Sequence, residues 1–209
     1  MRPESGPAAR GRPRLVEQRR TGGNPREEIL DAAGELFTTQ GFAGTSTRAI
    51  AESVGMRQAS LYHHFATKDD ILAALLQDTV APALDVARSL DPSTPAITRL
   101  LDLIRYDAGQ LAASRWNLGA LYLLPELRGE RFTAFRDVRV ELREVYRALS
   151  VEVVGDPADG RVHLPFRLVE SVISMRSDGL LTEPDTARGA AARASVVAAI
   201  ADAAERLLR

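Results

Sequence analysis

One glycine constrains this chain more than any other residue. Gly55 separates two short helical patterns: Thr47 to Ser53, with Ile50, Ala51 and Val54 on one side, and Arg57 to His64, with Leu61 and then Phe65 on one side. A helix that ends in a tight turn needs a residue with positive φ, which glycine adopts without a Cβ penalty. Ala51, four residues earlier, is small enough for a second helix to approach closely, and Leu61, six residues later, is placed to fill the corner. That combination describes a helix-turn-helix, whose second helix enters the DNA major groove. Helix–glycine–helix corners also occur in ordinary bundles, so the spacing by itself leaves both readings open.

The flanking residues separate them. Upstream lie Arg26-Glu-Glu-Ile-Leu-Asp-Ala-Ala-Gly-Glu-Leu-Phe37, then Gly41-Phe42 and Thr45; downstream lie Leu61-Tyr62-His63-His64-Phe65 and Lys68. This run closely resembles the N-terminal domain of TetR-family transcriptional regulators. The resemblance implies an all-α homodimer in which a three-helix helix-turn-helix DNA-binding domain precedes a helical ligand-binding and dimerisation domain. The expected division is a basic N-terminal arm over 1–23, a DNA-binding domain over 24–68 and a helical body over 69–209.

Charge distribution agrees with that order. The net charge is -1, but residues 1–68 hold nine Arg and the sole Lys against seven acids, while the remainder holds seventeen Arg against twenty-one acids. A basic front and an acidic rear suit a DNA reader joined to a regulatory body. The absence of cysteine excludes a disulfide framework and cysteine-based metal or nucleophile chemistry. No apolar run reaches the length of a membrane span, and no signal-peptide pattern is present, so a cytoplasmic location is expected.

Residues 1–23 carry six Arg against two Glu and almost nothing apolar, too little to fold alone. Within them Arg10-Gly11-Arg12-Pro13-Arg14 resembles an AT-hook core, an arm suited to a narrow minor groove or to loose phosphate attraction. Asn24 followed by Pro25, with Glu27 three residues past the cap, predicts the start of the first helix. Thr45 or Ser46 caps the second. Thr47 and Arg48 stand at its start, where backbone N–H groups favour a phosphate. At the third helix many family members have Ser-Lys-Gly-Thr before Leu-Tyr, whereas this chain has Arg57, Gln58, Ala59 and Ser60. Arg57 has the reach for a guanine or a phosphate, Gln58 for adenine, and Ala59 for a thymine methyl. The resemblance assigns Tyr62 and Lys68 to the phosphate backbone, contacts that position without carrying sequence information. His63 is expected to face DNA and His64 to pack near Phe65. Adjacent histidines point about 100° apart on a helix, so no metal site is expected.

Thr67-Lys68-Asp69-Asp70 opens a fourth helix, which Pro82 should kink or break. Thr94 and Pro95 signal a fifth. A short helix is expected over 115–124, capped by Ser114, then helices over about 129–154, 161–176 and 185–208. The last is rich in small residues (Ala191, Ala194, Ala198, Ala201), and the family commonly dimerises through its last two long helices. A small-molecule effector is expected in the body, with Arg105, Trp116 and Tyr122 as candidate contacts, although aromatics at helical spacing more often serve the core. No nucleotide, zinc-protease or serine-hydrolase motif appears and no cofactor is expected, so an enzyme has nothing to support it. The leading expectation is a ligand-released repressor on a palindromic operator. An activator of the same fold and an all-α interaction protein that does not bind DNA are the alternatives.

Overall fold

The computed structural model describes residues 23–181 and 186–209. The Arg10–Arg14 stretch and residues 182–185, where the last helix was expected to begin, lie outside them. The described residues form eight α-helices and no strand: α1 (Pro25–Thr39), α2 (Thr47–Ser53), α3 (Gln58–Leu61), α4 (Lys68–Ser89), α5 (Ala96–Ala113), α6 (Thr133–Val154), α7 (Leu164–Ser177) and α8 (Ala187–Leu208).

The helix starts follow local chemistry. Asn24 Oδ1 accepts the Glu27 N–H at 3.0 Å, and the Glu27 carboxylate reaches back to the Gly23 N–H at 2.7 Å. Thr67 and Asp70 cap α4 reciprocally: Thr67 Oγ1 accepts the Asp70 N–H at 3.1 Å, and Asp70 Oδ2 accepts the Thr67 N–H at 2.9 Å. Of the two candidates for the second helix, Ser46 is the cap, accepting from Ala49 N–H at 3.1 Å. Thr45 is instead buried and donates to the carbonyls of Leu36 and Gly41, closing the turn between α1 and α2.

Several boundaries differ from the sequence expectation. The third helix is four residues long; residues 62–64 continue as tighter turns, with His63 N–H on Ser60 O and His64 N–H on Leu61 O. Pro82 does not break α4, because Val80, Ala83 and Leu84 are buried on either side of it and hold the helix in place. Thr94 caps nothing: α5 begins at Ala96 with no side-chain cap. Ser114 ends α5 and spends its hydroxyl on Trp116 O at 3.0 Å, so no capped helix follows. The chain instead coils through 3-10 segments at Leu118–Leu123, Pro125–Arg128 and Glu130–Phe132 before α6, and at Gly160–His163 before α7.

Two apolar clusters hold the molecule. One joins α1, α2, α3 and α4 as far as Val80, and it also takes Leu121, Leu127, Phe132 and Phe135. The other begins at Ala83 and joins the rest of α4 to α5, α6, α7 and α8. Apolar packing therefore changes hands near Pro82, and the body supplies part of the wall against which α1–α3 rest.

Candidate nucleic-acid interface

The corner is built as its spacing implies. Gly55 has φ +70°, and Ile50, Ala51 and Leu61 are buried beneath it. Phe42 packs edge-on to Phe37 with ring centroids 5.0 Å apart, under the turn that leads into α2. Burying Leu61 turns the opposite side of α3 outward. Arg57, Gln58, Ala59, Ser60, Tyr62 and His63 are all exposed, and so is His64, which does not pack against Phe65 as expected. The tighter turns after Leu61 rotate both histidines into solvent.

The exposed side chains are already ordered. Gln58 Nε2 donates to Thr47 Oγ1 at 2.9 Å and to the Tyr62 hydroxyl at 3.3 Å; Thr47 Oγ1 and the Tyr62 hydroxyl are 3.1 Å apart. This cluster ties the start of α2 to α3 and fixes where Gln58 begins. Its amide must leave Thr47 to pair with a base. Arg48 is held by Glu52 one turn on, with Nε 2.8 Å from the carboxylate. Both side chains are well exposed, so the pair is worth little and yields readily to a phosphate.

Lys68 lies deeper than expected for a residue aimed at the backbone of DNA. Its ammonium donates to Phe42 O at 2.7 Å and Thr45 O at 2.9 Å, and sits 4.2 Å from the Phe42 ring centroid. Two of its three protons thus bind the turn in front of α2 to the start of α4.

The body candidates disperse. Arg105 is on the solvent side of α5, paired with Asp102 at 3.0 Å. The charged residue that α5 turns inward is Asp107, buried and accepting the Tyr146 hydroxyl at 3.0 Å. Burial pushes its carboxyl up to about 7, with a further push from Glu170. Trp116 docks on α1: Nε1 donates to Asp31 at 2.9 Å, while Arg115 donates to the same carboxylate at 3.0 Å. Tyr122 lines a hollow of about 360 Å³. Burial pushes its phenol up to about 12, and it stays bonded to Thr79 Oγ1 at 2.6 Å. Sequence reading missed Asp107 and Arg139, another residue of that hollow. The available signal was a charge on an otherwise apolar stripe, since Asp107 continues the run from Leu100, Leu103 and Ile104 to Leu111.

Comparison with known proteins bears on this arrangement. The sequence model of the family described as "Bacterial regulatory proteins, tetR family" matches residues 29–75, which span α1 to mid-α4. The HTH-type transcriptional repressor KstR2 of Rhodococcus jostii is 32% identical over 158 residues, covering 69% of this chain and 74% of that protein. This chain belongs to the TetR family. The AcnR repressor of Corynebacterium glutamicum is 32% identical over 63 residues, 30% of this chain and 34% of that protein. Among solved structures, Mycobacterium smegmatis AmtR is 54% identical, covers 92% of this chain and 89% of its own, and superposes with a TM-score of 0.81. KstR2 of Mycobacterium tuberculosis, at 19% identity and a TM-score of 0.70 over 88% of this chain and 96% of its own, shares the fold. As a TetR-family member the chain is a DNA-binding transcriptional regulator with a helix-turn-helix. No described helix is long and apolar enough to cross a membrane.

In this TetR-family head, Lys68 is first a strut. Lys68→Ala should lower stability by roughly 1–3 kcal/mol, because two part-buried carbonyls lose a charged donor. It should weaken binding to operator and to scrambled duplex by the same factor, as measured by fluorescence anisotropy. A change in the ratio of the two affinities would mean that Lys68 reads bases.

Proposed function

We propose that this chain is a ligand-responsive repressor that binds a palindromic operator as a homodimer and leaves it when a small molecule occupies the helical body. Residues 24–68 are the reading head and residues 69–209 the body. The carrying observation is the outward side of α3, exposed from Gln58 to Ser60 because Leu61 is buried behind it. Arg57, Gln58, Ala59 and Ser60 read bases. Thr47, Arg48, Tyr62, His63 and Lys68 meet the backbone or its edge.

The repressor sign is supported by KstR2 and AcnR, both HTH-type transcriptional repressors. Dimerisation is supported by exposed apolar surface on the last two helices: Leu164 is exposed and Leu168 and Met175 are half-buried on α7, and Ala191, Ala194 and Ala198 are exposed on α8. Two copies joined there set their third helices about 34 Å apart, one turn of B-DNA, and so read a palindrome.

A gel-shift with DNA from upstream of the chain's own coding sequence, repeated across a salt series, tests the proposal. Binding should weaken steeply with salt, with a slope of about -0.9 per neutralised phosphate. Binding that ignores salt would favour a protein-interaction module.

A further inference from the structure

The helical body carries a positive trough that no expected contact explains. On α6, Arg136, Arg139 and Arg143 recur at helical spacing and line the 360 Å³ hollow, and Arg128 from the Pro125–Arg128 3-10 segment joins them. The rest of the lining is apolar: Leu124, Leu127, Phe135 and Val140, with the rings of Tyr122 and Phe166. No carboxylate is among its lining residues. This concentration of cations is local, since the body as a whole is acidic.

The Arg136 and Arg139 guanidiniums are held in place yet under-compensated. Among the described residues, Arg136 is fixed by neutral oxygens, donating to Leu127 O at 2.5 Å, Gly129 O at 2.6 Å and Thr133 Oγ1 at 2.8 Å. Arg139 lies between two aromatic rings, 5.1 Å from the Tyr122 centroid and 5.7 Å from that of Phe166. One terminal nitrogen meets Glu170, which Arg167 shares, so one carboxylate serves two cations. Its Nε is buried and has no hydrogen-bond partner among the described residues. A buried donor left unmatched is destabilising and is commonly matched by a ligand or water. Among the described residues, Arg143 meets its neighbour Glu144 at 3.4 Å.

We infer that this hollow binds an amphiphilic organic anion, with a carboxylate or phosphate on the Arg136–Arg139–Arg143 side and an apolar portion against Tyr122, Phe135 and Phe166. The volume is near the lower end for small-molecule sites. Planar guanidiniums suit the forked geometry of either acid group. A cation would meet several like charges, and a neutral apolar molecule would leave the charged side unmatched. The assignment rests on the proposal that the body holds the effector, and it gives that effector a chemical class.

Isothermal titration of the full chain with four ten-carbon probes tests it: decanoate, decyl phosphate, decanol and decylammonium. Both anions should bind at least tenfold more tightly than decanol, and decylammonium should not bind. The preferred anion distinguishes a carboxylate effector from a phosphate one. Arg139→Gln should erase the preference; Arg143→Gln, at a less enclosed position, should reduce it several-fold while the circular-dichroism spectrum stays helical. Equal affinity for decanol and decanoate, or an undiminished preference in both variants, would overturn the assignment. Heat of binding is read without DNA, so failure of operator release would refute the induction mechanism and leave this result standing.

Discussion

Replacing Asp107 with Asn should stabilise the protein at pH 8 by on the order of 2–4 kcal/mol, a rise of roughly 5–10 °C in the unfolding midpoint for a chain of this size. Asp107 is buried on α5, and burial lifts its carboxyl from an ordinary 3.8 to about 7. The folded protein therefore holds a proton that the unfolded chain has released between those two values. Where the folded state binds more protons, stability falls as pH rises. The wild-type chain should lose stability from about pH 4 up to about pH 7 and change little from this source above that. Asn keeps an acceptor for the Tyr146 hydroxyl and carries no charge to desolvate. The gain from Asp107→Asn should thus shrink by more than half at pH 5. Glu170 and the phenols of Tyr146 and Tyr122 are the titratable groups coupled to this carboxyl, and neither phenol ionises in this range because burial pushes both upward. A gain independent of pH would mean that the carboxyl is already neutral, or well solvated, throughout. Natural retention of a costly buried acid fits a body kept adjustable rather than maximally stable.

Local signals carried the reading head. Asn24, Ser46 and Thr67 are short-range capping residues, and Gly41 and Gly55 mark turns that need positive φ. The corner at Gly55 depends on neighbours within ten residues, so its outward side could be placed from the chain alone. The body was harder because its chemistry joins distant segments. Arg139 finds Glu170 thirty-one residues on, and Tyr122 finds Thr79 forty-three residues back. Periodicity places Asp107 on the buried side of α5, but not the Tyr146 hydroxyl, thirty-nine residues on, that donates to it there. Lys68 shows a further limit: its partners are carbonyls of Phe42 and Thr45, and backbone oxygens leave no mark in the pattern of side chains.

Gly34→Ala should destabilise the protein by roughly 2–4 kcal/mol and shift its tryptophan emission to the red. Alanine is the better helix former by about 0.5–1 kcal/mol, so in a solvated helix the change would help. Here a Cβ on Gly34 would lie 2.7 Å from Cδ1 of Trp116 and 3.3 Å from Cγ. The indole has little room to retreat, since Nε1 is bonded to Asp31 at 2.9 Å and Arg115 lies 4.8 Å from the ring while holding the same carboxylate. Making space costs the indole bond and its packing, which together exceed the propensity gain. Trp116 is the sole tryptophan, so emission reports this junction alone. Combining Gly34→Ala with Trp116→Ala should restore little beyond the single Trp116→Ala variant if the two side chains meet only each other. An unshifted emission with a raised unfolding midpoint would show that Trp116 moves freely. The junction matters because the 3-10 segment Leu118–Leu123 runs from Trp116 to Tyr122, the wall of the basic hollow. An occupant pressing on Tyr122 has a short, hydrogen-bonded route to α1, and through α1 to the corner that carries α3.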